Sequence, residues 1–153
     1  MELNTKVADF TLETDEEEKV SLSDFKGKPV ILFFYPRADT PGCTKEACGF
    51  RDSYAAIKKT GVVLLGISKD TAASQKKFQE KFSLPFPLLA DPEKKIATMF
   101  GVVKEKNMYG KKVEGIARTT FVIGPDGKIK HIFNNVKAEG HADEVLAYLK
   151  SQK

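Results

Sequence analysis

The chain has 153 residues, 41% hydrophobic and 30% charged, with a formal net charge of +4. That length and apolar content predict one domain spanning residues 1–153, with a core that needs no covalent staples. The 25 basic residues include only three arginines, and the lysines are scattered among acids rather than gathered in a stripe, which argues against nucleic acid as a partner.

The first residues, MELNTKVADF, lack a basic segment followed by an apolar one, and the longest apolar run, PVILFFYP, is far too short to cross a bilayer. A cytoplasmic protein with no membrane partner is the expectation. Residues 9–14, DFTLET, alternate like a short strand, DEEEK is a charged turn, and VSLSDF leads into a short connection. PVILFFYP (29–36) is apolar throughout, as in a central strand covered on both faces. After Cys43, TKEACGFRDSYAAIKK reads as a helix ending at Thr60-Gly61, and residues 61–68, GVVLLGIS, as a second buried strand, which together predict a right-handed βαβ unit.

Residues 71–82 predict a second helix with Thr71 as N-cap. PFPLLADP is a short extended stretch and residues 93–101 a short helix closed by glycine. VVKEKNMYGKKVEGIA is polar with two glycines and reads as a loop or loose hairpin. RTTFVIGPDGKIKHIFNNV carries two β-rich runs around a turn signal. The last segment is an amphipathic helix with Ala142, Val145, Leu146 and Leu149 on one face. The order predicts an α/β protein with a mixed central β-sheet flanked by helices on both faces, the plan of a thioredoxin-like fold.

The two cysteines, Cys43 and Cys48, lie five residues apart in YPRADTPGCTKEAC. Proline at 36 ends the strand, Thr40-Pro41-Gly42 forms the turn, and Thr40 is a candidate helix cap. Cys43 then falls in the first helical turn, where free N–H groups and the helix dipole favour a negatively charged sulfur. A buried space-filling cysteine is the alternative for each, and more so for Cys48. A zinc site with His131 and His141 is a weaker option, because the CxxC hook is missing and His131 lies mid-strand. Arg118 opens the RTTFVI strand, where a guanidinium that buries much of its side chain needs an anion, and in such a sheet it can reach Cys43; a surface ion pair is the alternative. Arg37 and Arg51 are more exposed candidates. Glu46, three after Cys43, is suited to the helix start or to holding an arginine.

PRADTPGC fits P-x-x-x-T-x-x-C and resembles the peroxiredoxin motif. TPGCTKEACGFRD and MYGKKVEGIARTTFVIGPDGKI resemble the bacterioferritin-comigratory, or Q-type, subfamily, and the resemblance runs through essentially the whole chain. It implies a thiol peroxidase acting on hydrogen peroxide and alkyl hydroperoxides. Cys43 is then the peroxidatic cysteine and Cys48 the resolving one, joined in an intramolecular disulfide. Thr40 and Arg118 contact thiolate and peroxide, with Gly42 beside them, and Pro36 shields the sulfur. The resemblance further implies a monomer recycled by thioredoxin, with no metal or other cofactor. Arg37 stands where lysine is common in these proteins, and the charge is kept. A thiol–disulfide oxidoreductase acting on proteins and a non-catalytic binding module are the rival classes. If the segment is helical, the two Cα atoms stand about 8–9 Å apart on opposite faces. A disulfide needs about 4.4–6.8 Å, so a helix from Gly42 to about Arg51 in the reduced protein would have to unwind in part.

Overall fold

The computed structural model describes residues 2–152. Nine strands and four α-helices follow in the order β1 (Thr11–Thr14), β2 (Lys19–Ser21), β3 (Val30–Phe34), α1 (Pro41–Lys59), β4 (Val63–Ser68), α2 (Ala72–Phe82) and β5 (Leu88–Ala90). Then come α3 (Lys95–Met99), β6 (Val103–Met108), β7 (Lys111–Ile116), β8 (Thr119–Ile123), β9 (Ile129–Phe133) and α4 (His141–Ser151). Seven strands form one sheet in the order β2-β1-β5-β4-β3-β8-β9. Strands β3, β4 and β5 run parallel, while β1 and β8 pair antiparallel to their neighbours, so the sheet is mixed as the element order predicts.

Every residue of β3 is buried, and its two faces feed two cores. Ile31, Phe33 and Tyr35 pack with Cys43, Ala47, Phe50 and Ile57 of α1, Phe78 of α2 and Val145 of α4. Val30, Leu32 and Phe34 pack on the other side with Ile96 and Ala97 of α3, and with Phe100 and Ile116. Strand period two therefore decides which face carries the cysteine helix. Gly66 of β4 leaves room for that packing, because a Cβ there would lie 2.8 Å from the Phe33 ring and 2.9 Å from Leu88.

Three elements differ from the sequence reading. The polar stretch read as a loop or loose hairpin is a regular two-stranded hairpin, β6 with β7, turned at Tyr109 (φ 53°) and Gly110 (φ 77°). Two successive left-handed residues give the turn whose twist matches antiparallel strands. Helix α3 is shorter than residues 93–101, because the Asp91 carboxylate accepts the N–H groups of Lys95, Ile96 and Ala97 and sets its start. Strand β1 begins at Thr11 rather than residue 9. Thr71 caps α2 as predicted, its hydroxyl accepting from the Ser74 N–H at 3.2 Å.

Candidate active site

Tyr35 and Pro36 close β3, and the chain reaches α1 through a tight turn in which Asp39 adopts φ 57°. Thr40 is the N-cap and Pro41 the first helical residue. The first helical hydrogen bond runs from Thr44 N–H to the Thr40 carbonyl at 2.8 Å. The N–H groups of Gly42 and Cys43 lie ahead of it, at the positive end of a helix of 19 residues. Cys43 is buried at the apolar face of α1, and Cys48 is half-buried and off that face. Both are free thiols.

Thr40 departs from the sequence reading in one respect. Its side chain makes no cap hydrogen bond, and its hydroxyl donates instead to the Arg37 carbonyl at 2.9 Å. Cys43 and the cap position are otherwise where the sequence puts them. Pro36 is half-buried where β3 ends.

Arg118 comes from a distant part of the chain. Strand β8 pairs antiparallel with β3, Thr119 opposite Phe34, so Arg118 just ahead of it stands beside the turn leading to Cys43. Its Nη1 donates to Glu46 Oε1 at 2.8 Å. Its Nη2 lies over Gly42, where a Cβ would approach it to 2.9 Å. Gly42 is thus the residue that lets the guanidinium lie against the helix start. Burial by itself lowers the pKa of Arg118, but the charges of Cys43 and Glu46 outweigh it, and the guanidinium sits above its ordinary value.

Glu46 is fully buried, and among the described residues its Oε2 has no hydrogen-bond partner. Burial pushes its carboxyl up to about 7, and the one ion pair with Arg118 only partly offsets that. The sequence reading gave Glu46 two options, the helix start or an arginine, and the structure pairs it with Arg118. Arg51 faces elsewhere, its Nη1 donating to the Phe82 carbonyl at 2.8 Å, and Arg37 is exposed.

The histidines take part in packing. His131 stacks on Tyr148 with ring centroids 4.5 Å apart. His141 begins α4, bonded to Thr120 Oγ1 at 2.8 Å and Glu144 Oε1 at 2.9 Å. Burial holds its imidazole below the ordinary value, against the pull of Glu144. Among the described residues no group of three or more His, Cys, Asp or Glu side chains is placed to hold a metal ion.

A buried polar network went unread in the sequence. The Tyr35 hydroxyl donates to Gln75 Oε1 at 2.5 Å, Gln75 Nε2 donates to Ser68 Oγ at 2.9 Å, and Ser68 donates to Asp70 Oδ2 at 2.6 Å. Burial raises the Tyr35 phenol well above its ordinary value, so it stays a donor. The one signal available was Gln75 itself, a polar residue three before Phe78 on the buried stripe of α2.

A profile of the AhpC/TSA family matches residues 3–132. The chain is 46% identical over 141 residues to the peroxiredoxin Bcp of Escherichia coli K12, covering 92% of this chain and 90% of that protein. It is 44% identical over 150 residues to the peroxiredoxin Bcp of Bacillus subtilis 168, covering 98% of this chain and 96% of that one. The bacterioferritin comigratory protein of Xanthomonas campestris, solved as trapped intermediate and ligand complexes that address its alkyl peroxide reduction activity, is similar in structure. It superposes with a TM-score of 0.89 at 38% identity, over 94% of this chain and 91% of that one.

Proposed function

This chain belongs to the AhpC/TSA family and is a thioredoxin-fold peroxiredoxin of the bacterioferritin-comigratory type, a thiol peroxidase, and on that premise we propose how its own residues carry the reaction. Cys43 is the peroxidatic residue. Its thiolate attacks the outer oxygen of a hydroperoxide and the O–O bond breaks, leaving Cys43 as a sulfenic acid and releasing alcohol or water once the leaving oxygen is protonated. The free N–H groups at Gly42 and Cys43 and the Arg118 guanidinium surround the place where charge builds on the oxygens, and the Thr40 hydroxyl oxygen accepts from the peroxide O–H. Pro36 limits water at the sulfur.

Cys48 then attacks the Cys43 sulfenic sulfur, expelling water and closing a Cys43–Cys48 disulfide. A dithiol reductant opens it by exchange, and thioredoxin is the partner we assign. Closure within one chain is consistent with a working monomer. Among the described residues no helix is long and apolar enough to cross a membrane. We place the protein in the cytoplasm, where such reductants act. Alkyl hydroperoxides join hydrogen peroxide as substrates, supported by the activity named for the Xanthomonas relative.

The observation that carries this reading is Cys43 in the first turn of α1, with the Arg118 guanidinium lying against the neighbouring Gly42 and bonded to Glu46 one turn on. The experiment is peroxide consumption with thioredoxin as electron source, followed by mass spectrometry after one equivalent of peroxide. Cys43→Ser is expected to lose turnover entirely. Cys48→Ser is expected to be oxidised once and to accumulate sulfenic and then sulfinic acid at Cys43. Normal turnover by Cys43→Ser would sink the assignment, and insulin reduction without peroxide consumption would favour the oxidoreductase reading.

A further inference from the structure

The peptide joining Arg37 to Ala38 is gripped at both edges. Its N–H donates to Asp70 Oδ2 at 2.7 Å, and its carbonyl accepts from Thr40 Oγ1 at 2.9 Å. Asp70 lies 32 residues beyond Ala38, just past the end of β4. The same Asp70 oxygen accepts from Ser68 Oγ at 2.6 Å. Ser68 is fixed in turn by Gln75, whose amide also donates to the Leu89 carbonyl at 2.8 Å and whose oxygen takes the Tyr35 hydroxyl. Ser68, Gln75 and Tyr35 are all buried, so Asp70 is anchored to β4, α2 and the end of β3 at once.

We propose that Asp70 is a positioning residue for peroxide reduction: it fixes the plane of the Arg37–Ala38 peptide, and through that peptide's carbonyl it fixes the Thr40 hydroxyl. The proposal rests on the reading of Thr40 as a group that meets the peroxide. With its proton committed to the Arg37 carbonyl, Thr40 Oγ1 presents its lone pairs to the site and accepts the O–H of the incoming hydroperoxide. If the peptide rotates, the hydroxyl loses its acceptor and turns. The turn does not hold this geometry alone. Asp39, next in line, sits in the left-handed region at φ 57°, and its ion pair with Lys81 is exposed to solvent. A carboxylate suits the task because one of its oxygens can take two donors, the loop N–H and the Ser68 hydroxyl. Asp70 acts only through the peptide and Thr40.

The test uses the full chain with hydrogen peroxide as probe, in Asp70→Ala, Asp70→Asn, Thr40→Val and the double variant Thr40→Val with Asp70→Ala. Asparagine keeps an oxygen able to accept both donors, and alanine keeps none. The rate of Cys43 oxidation is expected to fall about tenfold to a hundredfold in Asp70→Ala, and Asp70→Asn to restore most of it. Alkylation of Cys43 by iodoacetamide has no use for the Thr40 hydroxyl and should stay within about twofold of wild type in both, a split that general loosening of the fold would not produce. The double variant should be no slower than Thr40→Val alone, as for two residues acting through one contact. A wild-type peroxide rate in Asp70→Ala, equal losses in the alanine and asparagine variants, a parallel fall in alkylation, or losses that multiply in the double variant would each overturn the proposal. Should Asp70→Ala not fold, Ser68→Ala carries the test through the other donor to Asp70. There the peroxide rate must drop while alkylation holds, and an unchanged peroxide rate overturns the idea. Thr40→Val at the wild-type rate refutes the role given to Thr40. A loss in Thr40→Val with none in Asp70→Ala refutes only the role given to Asp70.

Discussion

The two halves of α1 are held to the protein in different ways. From Phe50 onward the anchors are large and apolar. The Phe50 ring stacks on Phe33 at 4.6 Å and meets His141 edge-on, Tyr54 packs on Phe86, and Ile57 is fully buried. Arg51 adds a bond to the Phe82 carbonyl at the end of α2. From Pro41 to Gly49 the buried residues are Cys43, Glu46 and Ala47, two small side chains and one carboxylate with an unpartnered oxygen. Among the described residues the buried ion pair of this half is Glu46–Arg118, and such a pair contributes little net stability once desolvation is counted. One helix thus carries a half anchored by aromatic packing and a half whose buried residues are small or ionisable, and both cysteines lie in that second half. The disulfide cycle proposed above would require unwinding of that half, because five residues along a helix put Cys43 and Cys48 on different faces.

The sharpest way to break this contrast is Phe50→Ala. Removing a buried aromatic ring of this kind costs about 3–5 kcal/mol. The variant should lower the urea midpoint accordingly and lose hydrogen-exchange protection along the whole of α1. A cost below about 1 kcal/mol would mean that the second half is not the anchor.

Next in size is a pH effect on the first half. Glu46 stands near 7 in the helix against an ordinary value of 4.5. Between those values the helical form holds a proton that the unwound form releases, so rising pH favours unwinding. The gain begins above pH 4.5 and is complete above about 7. Local opening of residues 43–49, read by hydrogen exchange and corrected for intrinsic exchange, should rise up to about a hundredfold between pH 5 and pH 8. Glu46→Gln keeps an acceptor for Arg118 and removes the titration, so its opening should be flat over that range. A wild-type slope in Glu46→Gln would assign the effect to another group.

Much of this was legible in the sequence because it is local and periodic. The apolar run of β3, the Thr-Pro-Gly turn, the cysteine at a helix start and the 3.6-residue stripe of α1 all repeat or punctuate within a few residues. Arg118 was found because arginine is rare in this chain and its strand begins abruptly. The Asp70–Ser68–Gln75–Tyr35 network was not found, since its members are separated by up to 40 residues and meet only where α2 packs on the paired strands β3 and β4. The Thr40 hydroxyl was read as a helix cap because cap and turn bonds use the same residue type, and only the loop geometry chooses between them. The β6–β7 segment could be read only as a loop or loose hairpin because its residues are mostly polar, leaving no alternation to define the strands.

Gly49 marks the border between the halves and gives the smallest and most selective test. It is helical, next to Cys48, and a Cβ added there would meet Ala142 Cβ at 3.5 Å, an ordinary contact. Gly49→Ala therefore fits the folded helix without displacement and strengthens it by about 1 kcal/mol through propensity alone. The peroxide step needs the helix intact and should be unchanged. Disulfide closure needs the helix open, and a helix more stable by that amount is open about fivefold less often, so closure should slow by about fivefold. The Cys43 sulfenic acid then waits longer for Cys48, and the fraction lost to sulfinic acid at a fixed peroxide concentration should rise by the same factor. Mass spectrometry of disulfide against sulfinate after a single peroxide pulse reads that partition directly. If Gly49→Ala closes its disulfide as fast as wild type, unwinding of the first half does not limit closure, and the contrast between the halves is one of packing only.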